Sequence, residues 1–342
     1  MIYGLDKKDF TEEFKNMQRS VYNKNRQKKI IVLEKIKGGY PYPELGKTQE
    51  DVSIKYGQLF PLFNTINIET TSWCNFKCFF CPNSFLNRSK NLMNDMLFRK
   101  IIDELVDMGY KGEIRLHQSN EPLTDLNICS KVEYIRKNLK SNVGFYSNGS
   151  LLSLEKLEKL YDVGLNFLGV EAYISEQQFE IYKKKFEKFS KNKNVILHCQ
   201  DKNGGYSYAN LKTRFKTDDL FITLSRRYVK RNNEIFFDYN SVKVTSRCGI
   251  IPSKLKCKEN ICVRPFRKLQ INWNGYVNLC CEEWLYGAIM GDLNKNSIVD
   301  IWNGKKFFKY RQLLQYSNRS MYPCNVCNFS GGTWFKNIRK VK

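Results

Sequence analysis

The sequence contains no run of 18 apolar residues, and its first ten residues, MIYGLDKKDF, are polar. A helix that spans a bilayer needs about 20 consecutive apolar residues, and a secretory signal needs an apolar segment near the N-terminus. Both features are missing, so we expect a cytoplasmic protein with no membrane partner. Acidic side chains are also scarce, since 34 Asp and Glu stand against 57 Lys and Arg, for a net charge of +23.

The positive charge is compatible with a nucleic acid, an anionic membrane or a phosphorylated small molecule as partner. It is spread along the chain, however, with dense basic stretches at 24–37, 183–193 and 335–342. The basic residues do not alternate with aromatic residues in any recognisable nucleic-acid-binding module. We therefore expect mainly a solvated basic surface, and otherwise a preference for an anionic small-molecule substrate, rather than binding of nucleic acid.

Segments typical of strands alternate with segments that have the apolar spacing of helices. The predicted strands are 64–70, 113–117, 142–148, 166–174, 194–200 and 234–239, and the predicted helices are 94–110, 125–139, 154–164, 176–189 and 217–231. Short connections between alternating strands and helices favour a parallel sheet with helices outside it. Six such repeats predict an α/β fold, a partial (β/α)6 barrel that is not closed.

The chain is long enough for two domains, and its residue composition and pattern change past residue 245. There the cysteines become dense and the helical alternation stops. We predict an N-terminal extension at 1–61 with a helix at 9–36, a partial barrel at 62–245, and a small cysteine-rich domain at 246–342.

The chain has 12 cysteines, and in a reducing compartment these favour metal ligation or catalysis over disulfides. Cys74, Cys78 and Cys81 form a C-x3-C-x2-C motif directly after the first predicted strand. Three thiolates can hold three irons of a four-iron, four-sulfur cluster and leave the fourth iron open. A zinc knuckle is the alternative, but it needs a fourth ligand close by, and no cysteine lies between 82 and 128.

A second set of cysteines has a different spacing. Cys262 and Cys280 form C-x17-C, and Cys324 and Cys327 form C-x2-C. Four thiolates can close a metal site completely. On spacing alone, structural zinc and a second four-iron cluster both fit this set.

The first motif, the strand predicted before it and Phe80 just before the last cysteine together resemble the radical S-adenosylmethionine (radical SAM) superfamily. The resemblance covers roughly residues 62–330. It implies that the open iron binds the amino and carboxylate groups of S-adenosylmethionine. It also implies that a reductant such as flavodoxin or ferredoxin supplies an electron, and that a 5′-deoxyadenosyl radical then abstracts a hydrogen atom from the substrate.

The same resemblance assigns cofactor contacts to Phe80, Ser119, Asn120, Glu121, Ser147, Asn148 and Glu171. Phe80 matches the position that lies along the adenine, and Glu121 can accept a hydrogen bond from the methionine ammonium. Ser119 and Asn120 replace the two glycines that usually precede the Glu-Pro pair. Ser147 and Asn148 resemble the Thr-Asn-Gly turn of the family. Glu171 falls where a polar residue meets the ribose or the carboxylate, although it can also be a solvated carboxylate at a strand end.

The segments 262–281 and 291–311, followed by the CNVC sequence, resemble the SPASM/twitch domain of radical SAM enzymes. That domain carries auxiliary four-iron clusters. The full SPASM form needs further cysteines after the C-x2-C pair, and none follows Cys327. The resemblance therefore implies the short twitch form with one auxiliary cluster, two [4Fe-4S] clusters in all, with zinc as the alternative at the second set.

Among the remaining cysteines, Cys248 and Cys281 are candidates for reactive thiols. Cys248 lies in the segment VTSRCGII beside Arg247, which is a candidate for holding an anionic or hydroxylated substrate. Cys281 is adjacent to a cysteine of the second set. Cys129 and Cys199 fall in a predicted helix and a predicted strand, where small core residues are expected.

Enzymes of this type include aminocyclitol dehydrogenases, and the resemblance implies oxidation of a hydroxyl carbon in a sugar, cyclitol or nucleotide-linked sugar. An auxiliary cluster is suited to receive the electron that such an oxidation releases. The alternatives are a radical epimerase of a sugar, with Cys248 or Cys281 as hydrogen donor, and an enzyme that modifies a peptide. The alternative outside the enzymes is a zinc-containing nucleic-acid-binding protein.

Overall fold

The computed structural model describes residues 63–78, 80–199, 219–226, 229–231, 234–236, 245–251, 253, 255, 262–314 and 316–329. The helix predicted at 9–36 and the extension at 1–61 lie outside these residues. All seven cysteines of the two predicted metal sites lie within them.

In the part of the chain that the structure describes, one open sheet of nine strands carries the fold. Its strands are β1 (Thr65–Ile68), β2 (Glu113–Arg115), β3 (Val143–Ser147), β4 (Phe167–Ala172), β5 (Val195–Cys199), β6 (Leu220–Arg226), β9 (Lys268–Ile271), β10 (Tyr276–Asn278) and β11 (Ile289–Asp292), and a separate hairpin is formed by β7 (Val229–Arg231) and β8 (Glu234–Phe236). The spatial order is β11-β10-β9-β1-β2-β3-β4-β6-β5. Strands β1 to β6 and β9 run parallel, and β10 and β11 are antiparallel to their neighbours. The sheet is not closed, as predicted for a partial barrel.

Helices follow four of the parallel strands in sequence. They are α1 (Asp95–Asp107), α2 (Ile128–Asn138), α3 (Leu154–Asp162) and α4 (Glu176–Ser190), and the C-terminal part adds α5 (Arg264–Arg267), α6 (Ile298–Trp302) and α7 (Lys305–Leu314). The side chains of Asn94, Ser153 and Ser175 accept hydrogen bonds from first-turn N–H groups, so these residues begin α1, α3 and α4. Among the described residues, no helix is both long and apolar enough to cross a membrane.

The two faces of the sheet differ in polarity. Ile66 and Ile68 of β1 are fully buried, whereas Asn67 between them points to the opposite face. In the register of the sheet, Asn67 stands beside Arg115 of β2 and Gln270 of β9. On β1, β2 and β9 this face of the sheet therefore carries polar side chains, and loops that follow the strands can place a ligand site at the edge of the sheet.

The helix predicted at 217–231 is wrong. Leu220–Arg226 is strand β6, which pairs with β4 on one side and β5 on the other. By spacing alone, the apolar residues of this segment fit a helix as well as a strand. Pairing along both edges determines that it is a strand, and the β-branched residues Ile222 and Thr223 favour the same conformation. The sixth parallel strand is thus β6, and the strand predicted at 234–239 is the short β8 of the separate hairpin.

The described strands of the cysteine-rich part do not form a sheet of their own. Strand β9 pairs in parallel with β1, so the C-terminal strands extend the main sheet beyond its first strand. This places the segments around Cys262 and Cys280 next to the strand that precedes the first cysteine motif. The division at 62–245 and 246–342 stays a prediction about sequence organisation.

The buried side chain of Arg311 in α7 connects three segments of the C-terminal part. This buried guanidinium donates hydrogen bonds to the carbonyl oxygens of Pro265 (2.9 Å) and Trp302 (2.6 Å) and stacks on the Trp302 ring. Arg311→Leu should lower the free energy of unfolding by about 3 kcal/mol or more, because each buried carbonyl left unpaired costs about 1–3 kcal/mol. Urea unfolding measures this, and the exposed Lys309→Ala on the same helix should change it by less than about 0.5 kcal/mol. Equal effects of the two substitutions would contradict this role.

Candidate active site

The first cysteine loop, residues 74–81, lies beyond the end of β1. Its three cysteines, Cys74, Cys78 and Cys81, are all half-buried. The loop closes on itself, since the Cys81 N–H donates to the Cys78 carbonyl at 2.9 Å and the Ser84 hydroxyl donates to the same carbonyl at 2.6 Å. These hydrogen bonds thus hold Cys78 and Cys81 on one compact turn.

Without a bound metal ion, the side chains of the three cysteines in this loop stay protonated. Burial raises the pKa of Cys74 to about 11, and burial together with the neighbouring cysteines raises the pKa of Cys78 to about 12. Burial also raises the pKa of Cys81. Thiols of this kind lose their protons when a metal binds, and an iron–sulfur cluster takes thiolate ligands. The donor set therefore fits a cluster.

Glu121, Ser147 and Asn148 converge beside this loop, at the ends of β2 and β3. The Glu121 Oε1 atom accepts hydrogen bonds from the Ser147 hydroxyl (2.8 Å) and the Leu123 N–H (3.1 Å). Its Oε2 atom accepts from the Asn148 N–H at 2.8 Å. Burial raises the pKa of Glu121, while these three hydrogen bonds oppose the rise. The carboxylate joins the two loops and is held in one orientation.

The other predicted cofactor residues lie around this group. Ser119 is buried and its carbonyl accepts a hydrogen bond from Arg88 at 2.8 Å. The half-buried Asn120 accepts one from the Gln118 N–H at 2.9 Å. Glu171 is buried near the end of β4, beside Ser225 of β6 in the register. Their roles in cofactor binding stay predictions.

Phe80 has an aromatic neighbour that the sequence did not indicate. It stacks on Tyr173, with ring centroids 5.6 Å apart and an angle of 27° between the planes, and Phe76 packs its edge against the same ring. Burial and the nearby cysteines of the first loop raise the pKa of Tyr173. The only signal in the sequence is that Tyr173 follows β4 directly, at the edge of the sheet where ligands bind.

A buried ion pair joins the two segments that flank the first cysteine loop, and a hydrogen bond links it to the C-terminal part; sequence reasoning missed both. Arg88 Nη2 lies 2.9 Å from both carboxylate oxygens of Glu69, which is fully buried just after β1. The same nitrogen donates to the Tyr286 hydroxyl at 3.2 Å. The Glu69 carboxylate is paired and hydrogen-bonded, as a buried charge must be.

The second cysteine site consists of Cys262, Cys280, Cys324 and Cys327, and these four thiols line a single cavity. They come from the segment before α5, the end of β10 and the last described loop, so the fold brings together the whole set predicted from spacing. Cys248, from the linker before α5, lines the same cavity. Cys281 is half-buried and is not part of the lining.

This cavity also fits a cluster by its chemistry. Burial raises the pKa of Cys262 and of Cys280. The neighbouring Cys248 lowers the pKa of Cys327 to about 7. A set of sulfur donors in an enclosed, cysteine-rich cavity is what an iron–sulfur cluster or zinc needs, and no oxygen or nitrogen donor is required.

Glu282 is a buried carboxylate two residues after Cys280. Its Oε1 atom accepts hydrogen bonds from Arg264 and, at 3.1 Å, from Arg247. Its Oε2 atom accepts one from the Thr245 hydroxyl at 2.5 Å. Burial alone would raise the pKa of Glu282, but the charges of Arg247 and Arg264 outweigh burial and the pKa is lowered. Glu282 is therefore an anion that fixes the linker against the second cysteine site.

Arg247 lies between the two cysteine sites. Its guanidinium pairs with Glu282 near the second site, and its charge also acts on the Cys81 thiol of the first loop. The side chain is about one third exposed, at 32%. Arg247 is thus near both cysteine sites, and its role in holding a substrate stays a prediction.

Comparison with known proteins identifies both cysteine regions. The model of the radical SAM superfamily matches residues 68–202. The model of SPASM, an iron-sulfur cluster-binding domain, matches residues 262–328.

The chain is similar to a curated protein of Niallia circulans, the S-adenosyl-L-methionine-dependent 2-deoxy-scyllo-inosamine dehydrogenase. The two are 25% identical over 276 residues, which is 78% of this chain and 93% of the relative. Among solved structures, BtrN in complex with AdoMet and 2-DOIA has a TM-score of 0.56 at 21% identity, covering 79% of this chain and 95% of that one. BtrN in an open conformation has a TM-score of 0.51 at 20% identity, covering 78% and 93%. At this identity the structural likeness confirms the predicted fold.

Replacement of Cys74, Cys78 and Cys81 by Ala should abolish cleavage of S-adenosylmethionine and leave roughly half of the iron, because the second cysteine site is untouched. Iron analysis and chromatography of 5′-deoxyadenosine after anaerobic reconstitution measure both quantities. The matched control is Cys129→Ala, a half-buried cysteine of α2, which should retain cleavage and all iron. Continued cleavage by the triple variant would contradict the ligand assignment.

Glu121→Ala should weaken binding of S-adenosylmethionine by about 10- to 100-fold, since a hydrogen bond to a charged group contributes about 1.5–3 kcal/mol. Equilibrium binding to the reconstituted protein measures this, and the iron content should not change. Glu155→Ala, which removes an exposed carboxylate of α3 that pairs with Lys159, is the control and should keep the affinity of the parent protein. Unchanged affinity in Glu121→Ala would contradict a role of this carboxylate in binding the cofactor.

Proposed function

Since this chain is a radical SAM enzyme with a C-terminal SPASM domain, using S-adenosylmethionine and [4Fe-4S] clusters, we propose that it is a dehydrogenase. Its substrate would be a small polyhydroxylated ring, a cyclitol or aminocyclitol, of which one hydroxyl carbon is oxidised. The sequence relative named as a 2-deoxy-scyllo-inosamine dehydrogenase supports this substrate class. The alternative of a zinc-containing nucleic-acid-binding protein has no support from these matches.

The position of Arg247 is the observation that carries the proposal. It stands between the first cysteine loop and the second cysteine site and is held there by Glu282. Arg247 can donate hydrogen bonds to a substrate oxygen, because a guanidinium has five N–H groups and Glu282 uses only part of them. It would orient the hydroxyl carbon toward the first site while keeping the same substrate near the second.

The residues of the chain fit the groups that such a reaction requires. Cys74, Cys78 and Cys81 would hold the cluster that, with S-adenosylmethionine, supplies abstraction of one hydrogen atom. Cys262, Cys280, Cys324 and Cys327 would hold one auxiliary cluster, which supplies an acceptor for one electron. Oxidation of an alcohol carbon to a ketone removes one hydrogen atom, one electron and the hydroxyl proton, and the proton passes to water. The two cysteine sites thus account for both oxidising equivalents.

The protein contributes binding and orientation. Glu121, with Ser147 and Asn148, would hold the amino group of S-adenosylmethionine, and Phe80 with Tyr173 would flank its adenosine. Glu282 holds Arg247 in place through their ion pair. A flavodoxin or ferredoxin would supply the electron to the first site, and the basic chain, with a net charge of +23, would attract such an acidic carrier. A reducing compartment such as the cytoplasm suits the thiolate ligands.

The reaction type is tested with 2-deoxy-scyllo-inosamine and related cyclitols in deuterated water. Reconstituted protein, S-adenosylmethionine and a chemical reductant should give 5′-deoxyadenosine and a ketone that has lost two hydrogens and gained no deuterium at that carbon. Mass spectrometry measures both products. A product of unchanged oxidation state, with one deuterium at an inverted carbon, would establish the epimerase alternative instead.

The role of Arg247 is tested by Arg247→Ala. Its kcat/KM for the cyclitol should fall by about 10- to 100-fold, as expected for a lost charged hydrogen bond. Cleavage of S-adenosylmethionine without substrate should continue, because neither cysteine set is changed. Arg247→Lys should recover only part of the loss, since an ammonium lacks the planar donor pair. Unaltered kcat/KM in Arg247→Ala would remove Arg247 from the substrate site.

A further inference from the structure

The loop that follows β2 carries two polar side chains that bond on opposite sides. Glu121 bonds to Ser147 and Asn148 at the end of β3. Gln118 instead donates from its Nε2 atom to the Oδ1 atom of Asn272 at 2.8 Å, and Asn272 directly follows β9. Strand β1 lies between β2 and β9 in the sheet, so this hydrogen bond crosses the end of the strand that leads into the first cysteine loop.

The Gln118 side chain ends a chain of amide hydrogen bonds whose direction is fixed. The Nδ2 atom of Asn278 donates to the carbonyl oxygen of Glu283 at 3.1 Å, and a carbonyl oxygen can only accept. The Oδ1 atom of Asn278 is therefore the acceptor for the Nδ2 atom of Asn272, at 2.9 Å. Asn272 in turn presents its Oδ1 atom to the Nε2 atom of Gln118. The Oε1 atom of Gln118 is the acceptor left at the end of this chain.

Gln118 is held in one orientation by its backbone as well as by this chain. The Gln118 N–H donates to the Oδ1 atom of Asn120 at 2.9 Å. Asn272 and Asn278 are each only 1% exposed, so the amides that orient the Gln118 side chain are enclosed by protein. An acceptor that is fixed before a ligand arrives loses little conformational entropy when the ligand binds.

The Oε1 atom of Gln118 is buried and has no hydrogen-bond partner among the described residues. A buried acceptor without a donor costs free energy, so such a group calls for a ligand or an ordered water. Its place at the ends of β1, β2 and β9 is the edge of the sheet at which α/β folds bind ligands. An amide oxygen accepts from O–H and N–H groups, and a hydroxylated or aminated ring carries these on several carbons.

We propose that Gln118 is a specificity-determining residue of the substrate site, whose Oε1 atom accepts a hydrogen bond from one hydroxyl or amino group of the cyclitol ring. The inference rests on the proposed function, whose substrate class it deepens. Glu121, the carboxylate predicted to bind the cofactor, bonds on the β3 side of the loop, whereas Gln118 bonds on the β9 side. A ring that lacks the recognised group leaves the Gln118 acceptor unpaired and is rejected for that reason.

The test measures the affinity of the reconstituted protein for 2-deoxy-scyllo-inosamine, for myo-inositol, and for analogues of each that lack one hydroxyl or the amino group. Isothermal titration calorimetry, with S-adenosylmethionine present and no reductant, gives the dissociation constants without turnover. In the parent protein, one analogue should bind about tenfold more weakly than its full ring, because it leaves the Gln118 acceptor unpaired. In Gln118→Leu the full ring should bind about tenfold more weakly, and removal of that same group should then change the affinity by less than about twofold.

The matched control is Gln177→Leu, at an exposed glutamine of α4, which should bind every ring as the parent protein does. The iron content and the affinity for S-adenosylmethionine should be the same in the parent and in both variants. Weaker binding of S-adenosylmethionine by Gln118→Leu would assign Gln118 to the cofactor and overturn the inference. A uniform loss for all rings in Gln118→Leu, with each analogue still ranked as in the parent, would show an indirect structural effect and overturn it too.

The outcomes separate this inference from the proposed reaction. Equal affinity of the parent and Gln118→Leu for every ring would overturn the inference even where the parent oxidises a cyclitol, as would a crystal structure with the ring bound and only a water at the Gln118 Oε1 atom. Binding that depends on Gln118, without oxidation of the ring, would support the inference and refute the proposed reaction alone. No binding of any ring by the parent would overturn the inference together with the substrate class.

Discussion

The Glu282 carboxylate is buried beside the second cysteine site and accepts hydrogen bonds from Arg247, Arg264 and Thr245. A buried charge is tolerated only when it is paired and hydrogen-bonded. Because its partners come from the linker before α5 and from α5 itself, the ion pairs set where the linker runs. The placement of Arg247 between the two cysteine sites, and of Cys248 inside the second, both depend on this one anion.

The main sheet positions the two cysteine sites relative to each other. Strand β9 lies against β1, so the loop after β1 with the first cysteines and the strands around Cys280 share one rigid element. The hydrogen bond from Arg88 to Tyr286 adds a second link across the same boundary, and the ion pair of Arg88 with Glu69 holds the donor in place. Two redox centres that must act on one substrate need a fixed spacing, and continuous hydrogen bonding between strands provides it.

The sequence predicted those features that depend on local pattern. The periodicity of α1 and α4 and the spacing of both cysteine sets are read directly from the chain. The structure brings together Glu121, Ser147 and Asn148, to which the resemblance assigned cofactor contacts. Contacts between distant residues were missed, since Arg88 and Tyr286 are 198 positions apart and Arg247 and Glu282 are 35 apart. Strand β6 was predicted as a helix because pairing with two neighbours, not local spacing, determines its conformation. Residue type alone gives no sign of the left-handed backbone at Cys248, where φ is 55°.

Diffraction at the iron absorption edge, from crystals of the anaerobically reconstituted protein, tests the central claim of two separate iron centres joined through one linker. The account predicts one iron site at Cys74, Cys78 and Cys81, and a second at Cys262, Cys280, Cys324 and Cys327, with Cys248 outside the ligand shell. It also predicts that Arg247 lies between them. A single iron site, zinc at the second set, or Cys248 bound directly to iron would contradict it.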